Sequence, residues 1–479
     1  MKLESLTVKN FRTLQDVTIP FSGYYTALSG QNNAGKTSVI RAVRHTFNDV
    51  TRARYFYPGR VDEVTYRDDK TQWVSGAPDI SFAYTVAVTR ADDPGLFQFL
   101  EKITERVVDG DALVLRVEVR FASSGESACS AWVGEAECTS FVAKEIFQKL
   151  RSSSLAFTHD SANSEVMVFG PGGRHLHELL FSVDERRQVA KQMELVQKKV
   201  KAISKAHKTE LSELLGHLSD QYEVDFSVPE GMYAGAIPFA VNLRDRAVDI
   251  PLNDWGSGTK NRTQVMMSIL QAHRTRSKLD ENRITPFMII EEPESFLHPA
   301  AQAEFGRVLI DLANELKIQT IVTTHSPYML CQSNAAANVL LGRKVTYGKA
   351  KQTEVIAVEE GNWMRPFAEI LGLDNAEFLA WKDVLRSSQQ CVLLVEGEID
   401  KAYLEHINSL GFPGLVLPTG LEIVPYEGKD ALKNSILLKF VVQKFKRVLV
   451  TFDLDAHAEL ERVMTQIGLE EGKHFLPIG

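Results

Sequence analysis

The sequence is poor in cysteine: Cys129, Cys138, Cys331 and Cys391 are its only four in 479 residues, and no two form a CxxC pair. This argues against a disulfide framework and a cysteine zinc site, and it is the usage of a cytoplasmic protein with reduced thiols. No apolar run approaches the ~18–20 residues that a membrane span needs. The opening MKLESLTVKNFRTL alternates polar and apolar residues, a strand pattern and not that of a secretory leader. Positive charge is also short, with 54 Lys and Arg against 62 Asp and Glu and a net charge of -8. That disfavours a protein that coats nucleic acid with its whole surface and leaves a local site open. Internal repeats and low-complexity tracts are absent.

Hydrophobic residues make up 44% and charged residues 24%, ordinary for a globular chain, and the length allows roughly two to four domains. Two stretches are locally basic. One holds Lys191, Lys198, Lys199, Lys201, Lys205 and Lys208; the other holds Lys429, Lys433, Lys439, Lys444, Lys446 and Arg447. Either is a solvated helix face or a face that meets phosphate.

Alternation predicts strands over 3–8, 16–21 and 24–29, then a glycine-rich loop and a helix over 36–47. Strands follow over 80–90 and 113–121, with a turn at 92–95. From about 140 to 220 the pattern is helical. Met193, Val196, Val200, Ile203, His207, Leu211 and Leu214 recur there at spacings of three and four, either a core-facing stripe or an arm that pairs with a second subunit. Strand-like pieces return over 236–250, and strand–helix alternation over 286–345 predicts a parallel sheet. Residues 361–387 look helical. After the polar RSSQQ a second, smaller α/β unit begins: strand 391–395, helix 399–410, strand 414–418, helix 430–443, strand 447–452. The expected domains are thus 1–387, with a helical dimerisation insert over about 140–220, and 388–479.

The first motif is Gly30-Gln31-Asn32-Asn33-Ala34-Gly35-Lys36-Thr37, the phosphate-binding pattern G-x-x-x-x-G-K-[ST], between a strand and a helix. The glycines let backbone N–H groups wrap phosphates, and the helix N-terminus favours anions. Gly30, Asn32, Asn33, Ala34, Gly35, Lys36, Thr37 and Ser38 are the candidate nucleotide cradle; Lys36 would reach the β- and γ-phosphates and Thr37 would hold Mg2+. In PFMIIEEPESFLHP, Glu291 ends an apolar strand where the Mg2+-orienting acid belongs, and Glu292 is the candidate to polarise the attacking water. His325, in IVTTHSP, follows the next strand as a candidate γ-phosphate contact. Ser257 and Gly258, in DWGSGTKNR, precede a helix and are candidates for the γ-phosphate of a nucleotide held by another subunit.

A second acidic constellation lies downstream. Glu396 follows the strand CVLLV, Asp400 lies four residues later, and Val448–Phe452 leads into Asp453-Leu-Asp455. Alternate strand residues share a face, so Asp453 and Asp455 are expected to converge on one ion. Hard oxygen ligands suit Mg2+ or Mn2+, and two ions would serve phosphodiester hydrolysis. Glu396, Asp453 and Asp455 are therefore candidate catalytic residues, and with Asp400 candidate metal ligands.

The first set, with the opening LTVKNFRTLQDVTIPF, resembles the ATP-binding-cassette ATPases of the RecF/SMC type. That resemblance implies an α/β P-loop ATPase and head-to-tail dimers, in which Ser257 of one copy faces the Lys36 loop of another. Glu291 stands where those ATPases more often have aspartate, and the Q-loop glutamine is not assigned. The second set is similar to the Toprim domain, with Gly428 and Lys429 at its Gly-Lys step. ATPase followed by Toprim resembles the OLD (overcoming lysogenization defect) family. This implies an ATP-regulated, divalent-metal-dependent DNA nuclease, often serving anti-phage defence, alone or beside a helicase (as in Gabija systems) or a reverse transcriptase (as in retrons). Toprim domains of that family usually continue beyond the 24 residues that follow Asp455, so either a shortened Toprim or a chain lacking its C-terminus is expected. Two alternatives remain: an ATPase whose Toprim unit binds or signals without cutting, and an ATP-driven DNA-repair clamp.

Overall fold

The computed structural model describes most of residues 1–47, 64–161, 242–358 and 363–478, and a few residues between 188 and 199. The stripe from Met193 to Leu214 lies outside the described residues. The chain forms two compact units, residues 1–164 with 257–479, and residues 165–256.

In the larger unit the first strands alternate as their sequence predicts. β1 (Lys2–Phe11) pairs antiparallel with β2 (Leu14–Pro20) and with β4 (Ile80–Thr89). β5 (Ala112–Phe121), β6 (Ser127–Val133) and β7 (Ala136–Glu137) complete one antiparallel sheet in the order β2-β1-β4-β5-β6-β7. The second sheet has the order β14-β13-β3-β12-β11-β8. Its strands are β3 (Tyr25–Ser29), β8 (Ala156–Asp160), β11 (Phe287–Glu291), β12 (Thr320–Thr324), β13 (Asn338–Thr346) and β14 (Lys349–Ile356). All pairs are parallel except β13 with β14. β3 and β12 are buried along their whole length, as central parallel strands must be. Helix α1 (Lys36–Thr46) lies over the core between the two sheets, with Val39, Ile40 and Val43 among its fully buried residues.

The helical reading of residues from about 140 is corrected. α3 (Ser140–Ser152) is a helix with Thr139 as its N-cap, but Ala156–Asp160 is β8, the strand beside β11. Its five residues are too few to break a helical periodicity, and only pairing with β11 defines them. α2 (Pro94–Thr104) starts at the expected turn.

α4 (Ser257–Ser277), α5 (Pro299–Leu316) and α6 (Met364–Leu371) complete the first half. The third sheet, β16-β15-β17-β18, is parallel throughout. It contains β15 (Cys391–Val395), β16 (Leu421–Pro425), β17 (Arg447–Asp453) and β18 (Phe475–Ile478), with α7 (Glu398–Ser409) and α8 (His457–Gln466). The strand expected over 414–418 is displaced to Leu421–Pro425. Gly411, Gly414 and Gly420 all turn the chain with positive φ, and Val416 is exposed, whereas Ile423 and Val424 are buried. The helix expected over 430–443 begins as a 3-10 turn, Lys429–Lys433, because Ala431 N–H bonds back to Gly428 C=O at 3.0 Å. One apolar core runs from Met288 and Val322 through Trp363, Phe367 and Trp381 to Val392, Val450 and Phe475, so the third sheet is packed on the second.

In the smaller unit β9 (Asn242–Asp245) and β10 (Val248–Pro251) form an antiparallel pair that overlaps the strand-like stretch 236–250 and ends one residue beyond it. The four cysteines are free thiols. Among the described residues no helix is long and apolar enough to cross a membrane.

His45, near the end of α1, is buried against Phe82, Phe121 and Phe147, with ring centroids 5.5, 5.1 and 6.0 Å away. Burial, then the Arg151 charge, push its pKa down to about 3. An unfolded histidine titrates near ~6.5, so between those values the unfolded chain binds the extra proton. Stability is full above ~6.5 and falls as pH drops toward 3. In His45→Phe, thermal unfolding measured across this range should lose much of that acid sensitivity.

Candidate functional site

The phosphate loop sits where β3 ends. Gly30 has φ 151 and Gly35 φ 109, and a side chain at either would collide with neighbours, the Leu341 carbonyl at Gly30 and Thr353 at Gly35. Asn33 also takes a left-handed φ of 63. Two groups that spacing does not reveal brace this loop. Thr353 Oγ1 donates to Ala34 C=O at 2.8 Å, and Arg343 Nη1 donates to Asn33 C=O at 3.0 Å. Asn32 and Asn33 are exposed, Ala34 is buried, and α1 begins with Lys36. Thr37 is exposed on its first turn and Ser38 is buried.

Lys36 is buried, and its Nζ donates to Gly30 C=O at 2.8 Å and Gln31 C=O at 3.2 Å. Burial pushes its pKa down to about 8, with Glu292 and Glu294 pulling the other way. His325, just beyond β12, brings Nε2 to 3.0 Å from Lys36 Nζ and 3.6 Å from Glu292 Oε1. Burial first, then Lys36, lower the His325 pKa, which favours the neutral ring. Lys36, Glu292 and His325, read from three separate motifs, thus meet at one point.

Glu291 ends β11 and pairs with Arg44 of α1, Nη2 to Oε1 at 2.7 Å, with both side chains largely buried. Glu292 has φ 50, a strained conformation for a non-glycine residue, and its N–H donates to Thr323 C=O at 2.9 Å. Glu294 was not among the sequence candidates. Its Oε1 accepts from Thr324 Oγ1 and from His325 N–H, both at 2.7 Å, so a buried carboxylate fixes the backbone of His325. Burial pushes its pKa up. An acid within a run of acids carries no signal that separates this inward-facing one from its neighbours. Ser257 is exposed at the start of α4, and Gly258 packs so closely on the Phe296 carbonyl that a side chain would collide.

The second acidic constellation lies at one edge of the third sheet. β15 and β17 are adjacent and parallel, Leu394 beside Val450, so Glu396 and Asp453 emerge from the same end. Tyr426, just past β16, donates from its hydroxyl to Thr451 C=O at 2.8 Å and stacks on Trp381. Its pKa is pushed up by burial, then by Glu396, Asp453 and Asp400, so all three carboxylates act on one phenol. Gly428 N–H donates to Glu396 C=O at 3.0 Å, which folds the Gly-Lys step back over Glu396. Asp400 Oδ2 accepts from Gly397 N–H at 3.0 Å and caps α7. The strand reading of Asp455 is corrected: β17 ends at Asp453, and Asp455 lies in the 3-10 turn Leu454–Ala456, so strand alternation does not align the two. Among the described residues the one group of three His, Cys, Asp or Glu side chains with donor atoms within 4.8 Å of one another is His457, Glu461 and Glu471. Glu396, Asp453 and Asp455 are not drawn together that tightly.

Arg44→Leu takes the guanidinium from a largely buried carboxylate and should cost about 3–5 kcal/mol, read as a lower denaturation midpoint. Arg44→Lys should restore part of it.

A profile of the AAA ATPase domain family matches residues 1–102 and 144–330. An OLD nuclease of Thermus scotoductus (strain ATCC 700910 / SA-01) is 28% identical over 346 residues, 68% of this chain and 59% of that protein. The Old nuclease of Escherichia phage P2 is 24% identical over 201 residues, 42% of this chain and 33% of that protein. The chain therefore spans less than two thirds of the length of either relative. Among solved structures, the SMC head domain from Thermotoga maritima has a TM-score of 0.38 at 15% identity, covering 75% of this chain and 100% of that one. The Smc head domain with an extended coiled coil from Pyrococcus furiosus, bound to the C-terminal domain of ScpA, has a TM-score of 0.41 at 18% identity, covering 77% and 99%. The family profile takes in the phosphate loop, β8, β11 and β12, and on that ground the chain belongs to the AAA ATPase domain family.

Proposed function

We propose that this ATPase couples ATP to the divalent-metal-dependent cleavage of DNA. The observation that carries the reading is the edge where Glu396 and Asp453 follow the adjacent parallel strands β15 and β17, with Asp400 in the first turn of α7, in the same compact unit as the phosphate loop. Glu396 Oε2 is buried without a hydrogen-bond partner among the described residues, and a buried carboxylate oxygen of that kind calls for a cation. Glu396, Asp453 and Asp455, with Asp400 where its cap allows, would hold Mg2+ or Mn2+ through hard oxygens. When bound, such ions activate water and steady the leaving oxygen of a phosphodiester. Tyr426 stays protonated and holds the end of β17 through Thr451.

At the other site Lys36 and Thr37 would hold the ATP phosphates and their Mg2+, Glu291 would orient that ion, and Glu292 would polarise the attacking water. His325 then supplies a neutral nitrogen toward the γ-phosphate. The exposed Ser257 favours a homodimer in which this residue meets the partner's nucleotide. A second reading, a binding module without cleavage, is favoured by Asp400, whose carboxylate is engaged as a cap.

Lys36→Ala should abolish ATP hydrolysis in a phosphate-release assay. Asp453→Ala should abolish Mg2+- or Mn2+-dependent cutting while ATP binding persists. Wild-type protein that cuts neither plasmid nor linear DNA under any metal or nucleotide condition overturns the cleavage reading in favour of the binding module. The defence role implied by the OLD resemblance belongs to the same proposal: cells carrying Asp453→Ala should lose any protection against phage plaques that the wild type confers.

A further inference from the structure

Asn261 lies one turn into α4 and is 1% exposed. Its Nδ2 donates to Pro293 C=O at 3.1 Å and to Ser295 C=O at 3.4 Å, both in the loop that carries Glu292. Its Oδ1 lies 2.8 Å from Nε2 of His159, a buried residue of β8 that pairs with Ile290. With the amide nitrogen committed to two carbonyls, His159 must be the donor, which fixes the orientation of the amide. The loop itself is strained: Glu292 and Phe296 both have left-handed backbones, at φ 50 and 65. Such residues persist only where surrounding contacts hold them. The loop's own backbone bonds are Ser295 N–H to Glu292 C=O at 3.0 Å and Leu297 N–H to Glu294 C=O at 3.1 Å. Asn261 takes the two carbonyls between them, and Gly258, on the same helix, closes on the Phe296 carbonyl.

We infer that Asn261 is a positioning residue that makes the start of α4 and the Glu292 loop move as one, so that a phosphate docking at Ser257–Gly258 sets the place of Glu292 in the same chain. The inference rests on the nucleotide sandwich proposed above, in which that phosphate belongs to the partner's ATP. Asn261 touches no nucleotide and acts through Glu292 alone. One copy's nucleotide would thus license hydrolysis in its neighbour.

The test is Asn261→Asp, which keeps the size of the side chain but turns an oxygen toward the two carbonyls. Hydrolysis turnover should fall at least roughly tenfold, since a misplacement of about 1 Å costs that much or more. ATP affinity, read by fluorescent-nucleotide titration, should stay within about twofold, and the ATP-dependent dimer should persist by light scattering. His159→Leu should lower kcat in the same way, while His159→Gln, which still donates to Asn261, should stay within about threefold of wild type; this pair decides the matter if Asn261→Asp does not fold. Unchanged kcat in Asn261→Asp, or kcat and affinity lost in proportion, overturns the inference. Absence of any ATP-dependent dimer in the wild type overturns the sandwich instead, and a kcat loss at constant affinity then still supports the hold of Asn261 on Glu292.

Discussion

The parallel register of β3, β12 and β11 is the constraint on which the ATP site depends. Ser29 is paired with Thr324, and Thr323 with Glu291, so three strands end at one level. The residues that follow them, Gly30, His325 and Glu292, are then neighbours without any further device. Strands packed on both faces resist slipping, because a one-residue shift would swap the side chains fitted to one layer for those fitted to the other. Around this edge the chain adds specific ties. Arg44 ties α1 to Glu291, Glu294 ties His325 to the acidic loop, and Thr353 ties the outer strand to the phosphate loop. Each tie joins groups more than 30 residues apart, and each uses a buried polar group whose loss would leave its partner buried.

The third sheet repeats the same logic with a different ending. Its strands are also parallel, and its acids also emerge from one edge. It shares a continuous apolar core with the ATPase half through Trp363, Phe367 and Trp381, and Trp381 stacks directly on Tyr426 beneath Glu396 and Asp453. The second and third sheets thus share one close-packed layer of side chains. Under the function proposed above, this shared packing is the setting in which ATP and phosphodiester chemistry would be coupled.

What the sequence by itself determined was local. The phosphate loop, the strand-ending acids and His325 are legible because each occupies a few consecutive residues with a fixed chemical demand, such as a glycine where the backbone must turn left-handed. Periodicity likewise locates β1 to β5 and α1. It failed at Ala156–Asp160, a short strand defined by its neighbour β11, and at 414–418, where Val416 is exposed between glycines. Only the tertiary structure decided which acid does what. Glu291, Glu292 and Glu294 are alike in sequence, yet one meets Arg44, one faces His325, and one is buried under the His325 backbone. The same holds for Asn261 and His159, which the fold buries against each other, and for Arg44, which it buries against Glu291. Spacing encodes what the backbone must do within a turn or two. Partners separated by a hundred residues are chosen by packing, because only burial makes an unpaired polar group costly enough to select its mate.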